Sequence, residues 1–302
     1  MMTLSRAFTK NIKHYLMLLP FFVVFVLFFL WPLFFGVSIA FTNWNGIRTP
    51  EFTGFNNFIR VWSNGDFIAS FKNLVIFAIL TVAIGVSLSL LVAMVASSLS
   101  NKQSLVFRSL YFLPMVLPMV LSASIWRWLL SPDIGLLNII AVKIGFQSVN
   151  WITTPGYAMA ATVLVDFWRA SGFNIMIFMI AIKDVPQELY DAAEVDGANM
   201  WQKMFRITLP QLEPIVFLIL TNGLIGALQI FDIPWVLSKS GLDKIGSVGT
   251  VMTYPTMMVV GLTFGRQRLG EASAYATYLL FLTLIITGAW FIIRSSRRRR
   301  DQ

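Results

Sequence analysis

ELYDAAEVDGANMWQKMFRITLP, residues 188–210, lies between two long apolar stretches of a 302-residue chain. The reading of this run decides the fold. Pro186, just ahead of it, suits a first helical turn, and Glu188 and Asp191 favour a helix N-terminus. Leu189, Ala192, Ala193 and Met200 fall on one apolar face, while Glu188, Asp191 and Glu194 mark another. Gly197 interrupts the helix, and Asn199 is placed to cap a second, short one. That second helix carries Lys203 and Arg206 towards its C-terminus, and Pro210 is expected to stop it. The run therefore reads as helix–Gly–helix, too polar to enter a bilayer. Residues 184–196 hold five acidic side chains and no basic one. Helices that rest on lipid are usually rich in Lys and Arg, so the run is expected to meet a protein instead. Its small Ala and Gly residues permit close backbone approach.

Outward from this loop the chain is apolar. It is 57% hydrophobic and 12% charged, against about 25% charged in soluble domains. Spanning helices need about 20 apolar residues. Six are expected, at 16–41, 71–99, 105–130, 157–183, 212–237 and 272–293, making an all-α polytopic membrane protein. The first is too long for the apolar core of a signal peptide and has no convincing cleavage site. Six spans place both termini on one side. The N-terminus, the 2–3 turn, the 4–5 loop and the tail together carry thirteen basic residues, against nine on the opposite side. Both termini are thus expected in the cytoplasm. The loops 42–70, 131–156 and 238–271 then face outward as short ordered caps. The net charge of +9 owes much to Arg294 and Arg297 to Arg300, which read as an anchor on lipid headgroups rather than a nucleic-acid surface. The chain has no Cys, and its single His, His14, has no companions for a metal site.

The loop carries a more specific signal. Asp191-Ala192-Ala193, Gly197 and Ile207-Thr208-Leu209-Pro210 resemble the EAA motif of permease subunits of binding-protein-dependent ABC importers, with both internal spacings intact. The one departure is Asp191 in place of Glu. The longer pattern, with YFLPMVLP at 111–118, QIFDIPWVL at 229–237 and GEASAYATYLLF at 270–281, is similar to the carbohydrate-uptake branch, the permeases of maltose and glycerol phosphate type. The resemblance implies a type I importer permease fold. It also implies that Glu188, Leu189, Asp191, Ala192, Ala193, Asp196, Gly197, Ala198 and Met200 form a coupling helix docked on a cytoplasmic ATPase. The implied assembly has a second, homologous permease as heterodimer partner, two ATPase subunits and an extracytoplasmic solute-binding protein, in the plasma membrane of a bacterium or archaeon. The chain has no G-x-x-x-x-G-K-[ST] phosphate loop. No cofactor is expected on it, and ATP and Mg²⁺ would belong to the partner ATPase; it is not expected to be an enzyme. The domain plan is a cytoplasmic segment 1–15, a six-helix unit 16–293 containing the coupling loop 184–210, and a basic tail 294–302.

Polar residues inside spans are costly and by default mark function or helix contacts. In span four, Asp166, Arg169, Ala170 and Phe173 recur at i, i+3, i+4 and i+7 on one face. In span five, Asn222, Gly226 and Gln229 recur at i, i+4 and i+7. With Trp168 these are the candidate lining of a solute path. Amides and carboxylates suit hydroxyl groups, Gly226 leaves room, and Trp168 or Phe173 can stack on a sugar face. The bland alternatives are an Asp166–Arg169 ion pair and an interhelical Asn222 hydrogen bond, worth about 1 kcal/mol or less. A different class of function, an ion-coupled secondary transporter, would show inverted repeats; none is evident, and it leaves the 4–5 loop without a purpose.

Overall fold

The computed structural model describes residues 12–97, 99–238 and 252–298. Among these the chain is helical. The elements are α1 (Ile12–Phe25), α2 (Trp31–Ile39), α3 (Asn56–Trp62), α4 (Gly65–Ser97), α5 (Asn101–Val116), α6 (Met119–Leu129), α7 (Leu136–Lys143) and α8 (Tyr157–Lys183). They continue with α9 (Gln187–Val195), α10 (Met200–Lys203), α11 (Leu209–Gln211), α12 (Glu213–Leu228), α13 (Asp232–Ser238), α14 (Pro255–Val260) and α15 (Leu269–Arg298).

Four unbroken helices, Leu16–Ile39, Gly65–Ser97, Tyr157–Lys183 and Leu269–Ser296, are long and apolar enough to cross a membrane. Two bent pairs complete the count of six. The third expected span breaks by 101° between α5 and α6, and the helix 200–211 meets α12 at 75°. The fifth span also differs from its sequence reading. Its helix ends at Leu228, the backbone of Gln229–Phe231 is non-helical, and α13 resumes at Asp232.

Proline accounts for much of this irregularity. Two widened π turns, Val26–Leu30 and Met204–Thr208, each end just before a proline, Pro32 and Pro210. A proline in a helix lacks an N–H and crowds the carbonyl four residues back, and a wider turn relieves both problems. Pro210 therefore does not stop its helix. The stop is Leu212, whose backbone leaves the helical region ahead of Pro214.

α4 and α8 pack along each other as the central pillars, with α12 against α4 and α5 against α8. Leu74 and Phe77 of α4, Val165 of α8, Leu228 of α12 and Tyr254 and Met257 form one buried cluster. Leu90, Ala93, Ile175, Phe178 and Leu212 form a second, next to the 184–210 loop. The segment 252–265 is a correction to the expected cap. Its residues Pro255–Gly265 form an apolar helix too short to span, and Tyr254 and Met257 are fully buried. By contrast, Leu16 to Phe29 and Phe34 of the first span are exposed nearly throughout, so the rest of this chain leaves that span uncovered. α15 runs on through Arg298 rather than ending near 293. Its Arg294 is not a free lipid anchor. Its guanidinium lies 3.5 Å over the Phe217 ring and 3.5 Å from the Glu213 carboxylate. Arg299, Arg300 and the segments 1–11 and 239–251 lie outside the described residues.

The tightest crossing is α5 on α8. A Cβ added at Gly172 would sit 2.0 Å from the Tyr111 carbonyl oxygen. Close helix approach over small residues is how membrane helices gain contact. Gly172→Leu is expected to cost about 3 kcal/mol, the upper part of the range for overpacking. The check is the melting temperature of the purified chain or complex in detergent, which should fall clearly.

Candidate functional site

The loop 184–210 is built by two capping motifs. α9 follows Pro186 and ends at Asp196. Gly197 then takes φ +71°, the left-handed conformation that glycine adopts without a Cβ penalty. The Gly197 N–H donates to Glu194 O at 3.0 Å, and the Ala198 N–H donates to Ala193 O at 2.9 Å. This pair of bonds is a Schellman ending, and it satisfies carbonyls that the helix terminus would leave open. The fixed interval from Ala193 to Gly197 thus has a geometric reason. Asn199 starts α10 with a reciprocal box. Its side chain accepts from Gln202 N at 2.9 Å, and its own N–H donates to Gln202 Oε1 at 2.7 Å.

Two further contacts brace the loop. Lys203 Nζ lies 2.9 Å from Glu194 Oε2 across the turn. Tyr190 and Thr208 join hydroxyls at 2.8 Å, which ties α9 to the buried start of the next helix. Of the residues expected to couple, Glu188, Leu189, Asp191, Ala192, Asp196, Gly197 and Met200 are exposed, while Ala193 and Ala198 are half-buried. The sequence reading passed over Val195, which is 90% exposed, and the stacked, exposed pair Trp201 and Phe205. α9 buries none of its residues against its own chain. An apolar strip, rimmed by Glu188, Asp191 and Asp196, is thus left exposed by this chain.

The candidate path residues divide into two groups. On α8, Asp166 Oδ2 accepts from Thr81 Oγ1 of α4 at 2.6 Å. Asp166 and Arg169 form no ion pair, and the Arg169 Nε is buried without a hydrogen bond among the described residues. Trp168 is half-buried with its ring edge-on to Trp126, centroids 5.7 Å apart. Ala170 is half-buried and Phe173 exposed. On span five, Asn222, Gly226 and Gln229 are all exposed on one face, and a Cβ at Gly226 would meet nothing within 4 Å. No hydrogen bond to the Asn222 or Gln229 side chain occurs among the described residues, so the interhelical role for Asn222 is not realised within this chain. Gln229 also lines a cavity of about 470 Å³ with Phe231, Thr256 and residues of α15. The Thr256 hydroxyl donates to the Ile230 carbonyl, which the break in span five leaves open.

Sequence reading missed Ser122 and Trp126. They lie one turn apart on α6, and the Ser122 Oγ and Trp126 Nε1 are buried without hydrogen-bond partners among the described residues. A buried polar group without a partner is costly and calls for a partner from outside this chain or a role of its own. The signal available was their i, i+4 spacing in an otherwise apolar span, next to Trp168 only through the fold.

Comparison with known proteins gives a consistent answer. The family model described as binding-protein-dependent transport system inner membrane component matches residues 85–301. The chain is 31% identical over 283 residues to the probable ABC transporter permease protein YurN of Bacillus subtilis, covering 92% of this chain and 94% of that one. It is 30% identical to the trehalose/maltose transport system permease protein MalF of Thermococcus litoralis, covering 95% and 94%. Among solved structures it is similar to a bacterial ABC transporter involved in the import of the acidic polysaccharide alginate. There the TM-score is 0.82 at 24% identity, over 98% of this chain and 99% of that one. At that identity the likeness carries the fold alone.

Proposed function

This chain belongs to the binding-protein-dependent transport system inner membrane components, and on that premise we propose that it is the permease subunit of an ATP-driven importer for a sugar or sugar-like solute. The carrying observation is the 187–200 loop, pre-shaped by a Schellman turn and a capping box yet unburied by its own chain. In this reading its exposed residues, Glu188 to Met200, dock on a separate ATPase that holds ATP and Mg²⁺. A second, homologous permease completes the membrane unit. Both termini and the loop face the cytoplasm, and a solute-binding protein delivers solute at the opposite face. The six-helix unit is taken as 16–293, flanked by 1–15 and 294–302.

The solute class rests on chemistry. Asn222 and Gln229 offer donors and acceptors with no competing partner among the described residues, Gly226 leaves space, and Trp168 and Phe173 present rings. Arg169, Asp166 and Ala170 of α8 belong to the proposed set, and Ser122 and Trp126 extend it. Relatives named as arabinooligosaccharides and trehalose/maltose permeases support a saccharide.

The test is co-purification from the native membrane, of the intact chain and of a variant with Ala193→Arg and Gly197→Arg. Mass spectrometry is expected to find an ATPase and a second permease with the intact chain, and the ATPase should drop out of the variant. Absence of any ATPase under gentle extraction, with uptake driven by an ion gradient, would replace the importer with a secondary transporter.

A further inference from the structure

At the end of the bundle opposite the coupling loop lies a polar pocket of about 300 Å³. It is set between the segment after the first span, α3 and the start of α15. Its floor is Glu271, 7% exposed. Arg60 Nη1 donates to Glu271 Oε1 at 2.6 Å and Arg268 Nη1 to Oε2 at 3.4 Å. The two guanidinium side chains remain 64% and 56% exposed. Two cations thus bracket one buried anion, so the lining carries a net positive charge and N–H donors without a hydrogen bond among the described residues, while the Glu51 carboxylate beyond the lining is held by Asn43 at 2.8 Å. Trp44 forms an apolar wall, Asn56 and Gln267 add side-chain amides that have no hydrogen bond among the described residues, and Asn43, Asn45 and Thr53, already hydrogen-bonded, complete the lining.

The pocket is held by hydrogen bonds between its walls. Asn57 Nδ2 donates to the Ala40 and Thr42 carbonyls at 2.9 and 2.7 Å, and Gly270 N donates to Trp44 O at 3.1 Å. A Cβ at Gly270 would lie 2.1 Å from Thr42 O, so the backbones are pressed together there. Gln267 sits at φ +50°, unusual for a residue with a side chain. Such strain is held in place at sites where position matters. A preformed cavity whose spare groups are mostly cationic donors suits a carboxylate, which two guanidinium groups can hold by charge-assisted hydrogen bonds.

We infer that this pocket is a socket for an acidic side chain of the docked solute-binding protein, with Arg60 and Arg268 as its donors and Glu271 as the group that positions them. The inference rests on the importer reading above, which makes this end of the bundle the delivery face. It adds a residue-level contact at the first turn of the last span.

The experiment uses the complete transporter in lipid nanodiscs with its own binding protein. Affinity is measured for the wild type, for Arg268→Ala and for the double variant Arg60→Ala with Arg268→Ala, at several salt concentrations. The double variant is expected to weaken binding by roughly tenfold or more and to flatten the salt dependence, as for loss of complementary interface charges. Basal ATP hydrolysis should be unchanged, and stimulated hydrolysis should recover at saturating binding protein. Reversal of an acidic residue on the binding protein to Arg, paired with Arg268→Glu, should restore part of the loss. Binding that is unchanged in both variants overturns the socket while leaving the importer reading intact. So does an equal loss of basal hydrolysis and thermal stability, which would make the cluster a brace only, or competition by free glucuronate, which would make it a sugar site. If the wild type binds no extracytoplasmic protein, the importer reading falls and the socket with it.

Discussion

Gly197→Val is expected to leave the assembled transporter with roughly a tenth or less of its solute-driven ATP hydrolysis, with a matching loss of co-purified ATPase. Space is not the reason, since a Cβ at Gly197 would meet nothing within 4 Å. The reason is φ +71°. A β-branched residue held in the left-handed region costs about 1–3 kcal/mol, and about 1.4 kcal/mol is a factor of ten in an equilibrium. The variant escapes that cost by unwinding the turn, which gives up the 3.0 and 2.9 Å bonds that close α9. Asn199 and its box then shift, and the exposed Met200 shifts with them. Gly197→Asn separates conformation from side-chain bulk, because Asn tolerates this region, and it should keep most of the activity. Full coupling by the valine variant, with normal ATPase content, would remove the turn from the mechanism.

The second large effect is expected on the path. Asn222→Leu combined with Gln229→Leu should lower solute uptake by roughly ten- to a hundredfold. It should leave ATPase content and the response to empty binding protein intact. A neutral hydrogen bond contributes about 0.5–1.5 kcal/mol, and a solute hydroxyl left unpaired in a dry site costs a further 1–3 kcal/mol. Neither side chain bonds to another described residue, so the fold itself should tolerate the change. Uptake assays in proteoliposomes, set beside the melting temperature, make the distinction. An unchanged uptake rate would move the path away from this face of α12. A parallel collapse of stability would assign both residues to packing against a partner permease.

The helix–Gly–helix shape of the 184–210 loop was legible in the sequence because its determinants are local. Gly197, Asn199 and Gln202 set their geometry within a few residues, and the charges on α9 state its polarity. The number of spans was legible because bilayer thickness constrains composition. What escaped was decided at a distance. The helix at 255–265 is too short to span, so hydropathy passes over it; Tyr254, packed on Phe77 and Met159, shows that tertiary contacts bury it. Pro114 and Pro118 are alike in sequence. Yet Pro114 stays inside α5, whereas Pro118 breaks the span because Leu117 before it is extended at ψ 137°. Ser122 and Trp126 became candidates only when α6 was seen beside Trp168. The shared face of Asn222, Gly226 and Gln229 was readable from spacing, but that Asn222 and Gln229 have no side-chain hydrogen bond among the described residues was not.

The 101° break at Leu117–Pro118 has an electrostatic meaning. α5 ends there with its last carbonyls lacking helical partners, and α6 begins with amides equally unclaimed. Each terminus carries about half an elementary charge, negative on α5 and positive on α6. An otherwise apolar span therefore holds a fixed dipolar seam made wholly of main chain. No polar residue announces it, and substitution of the span's polar side chains to alanine would not erase it.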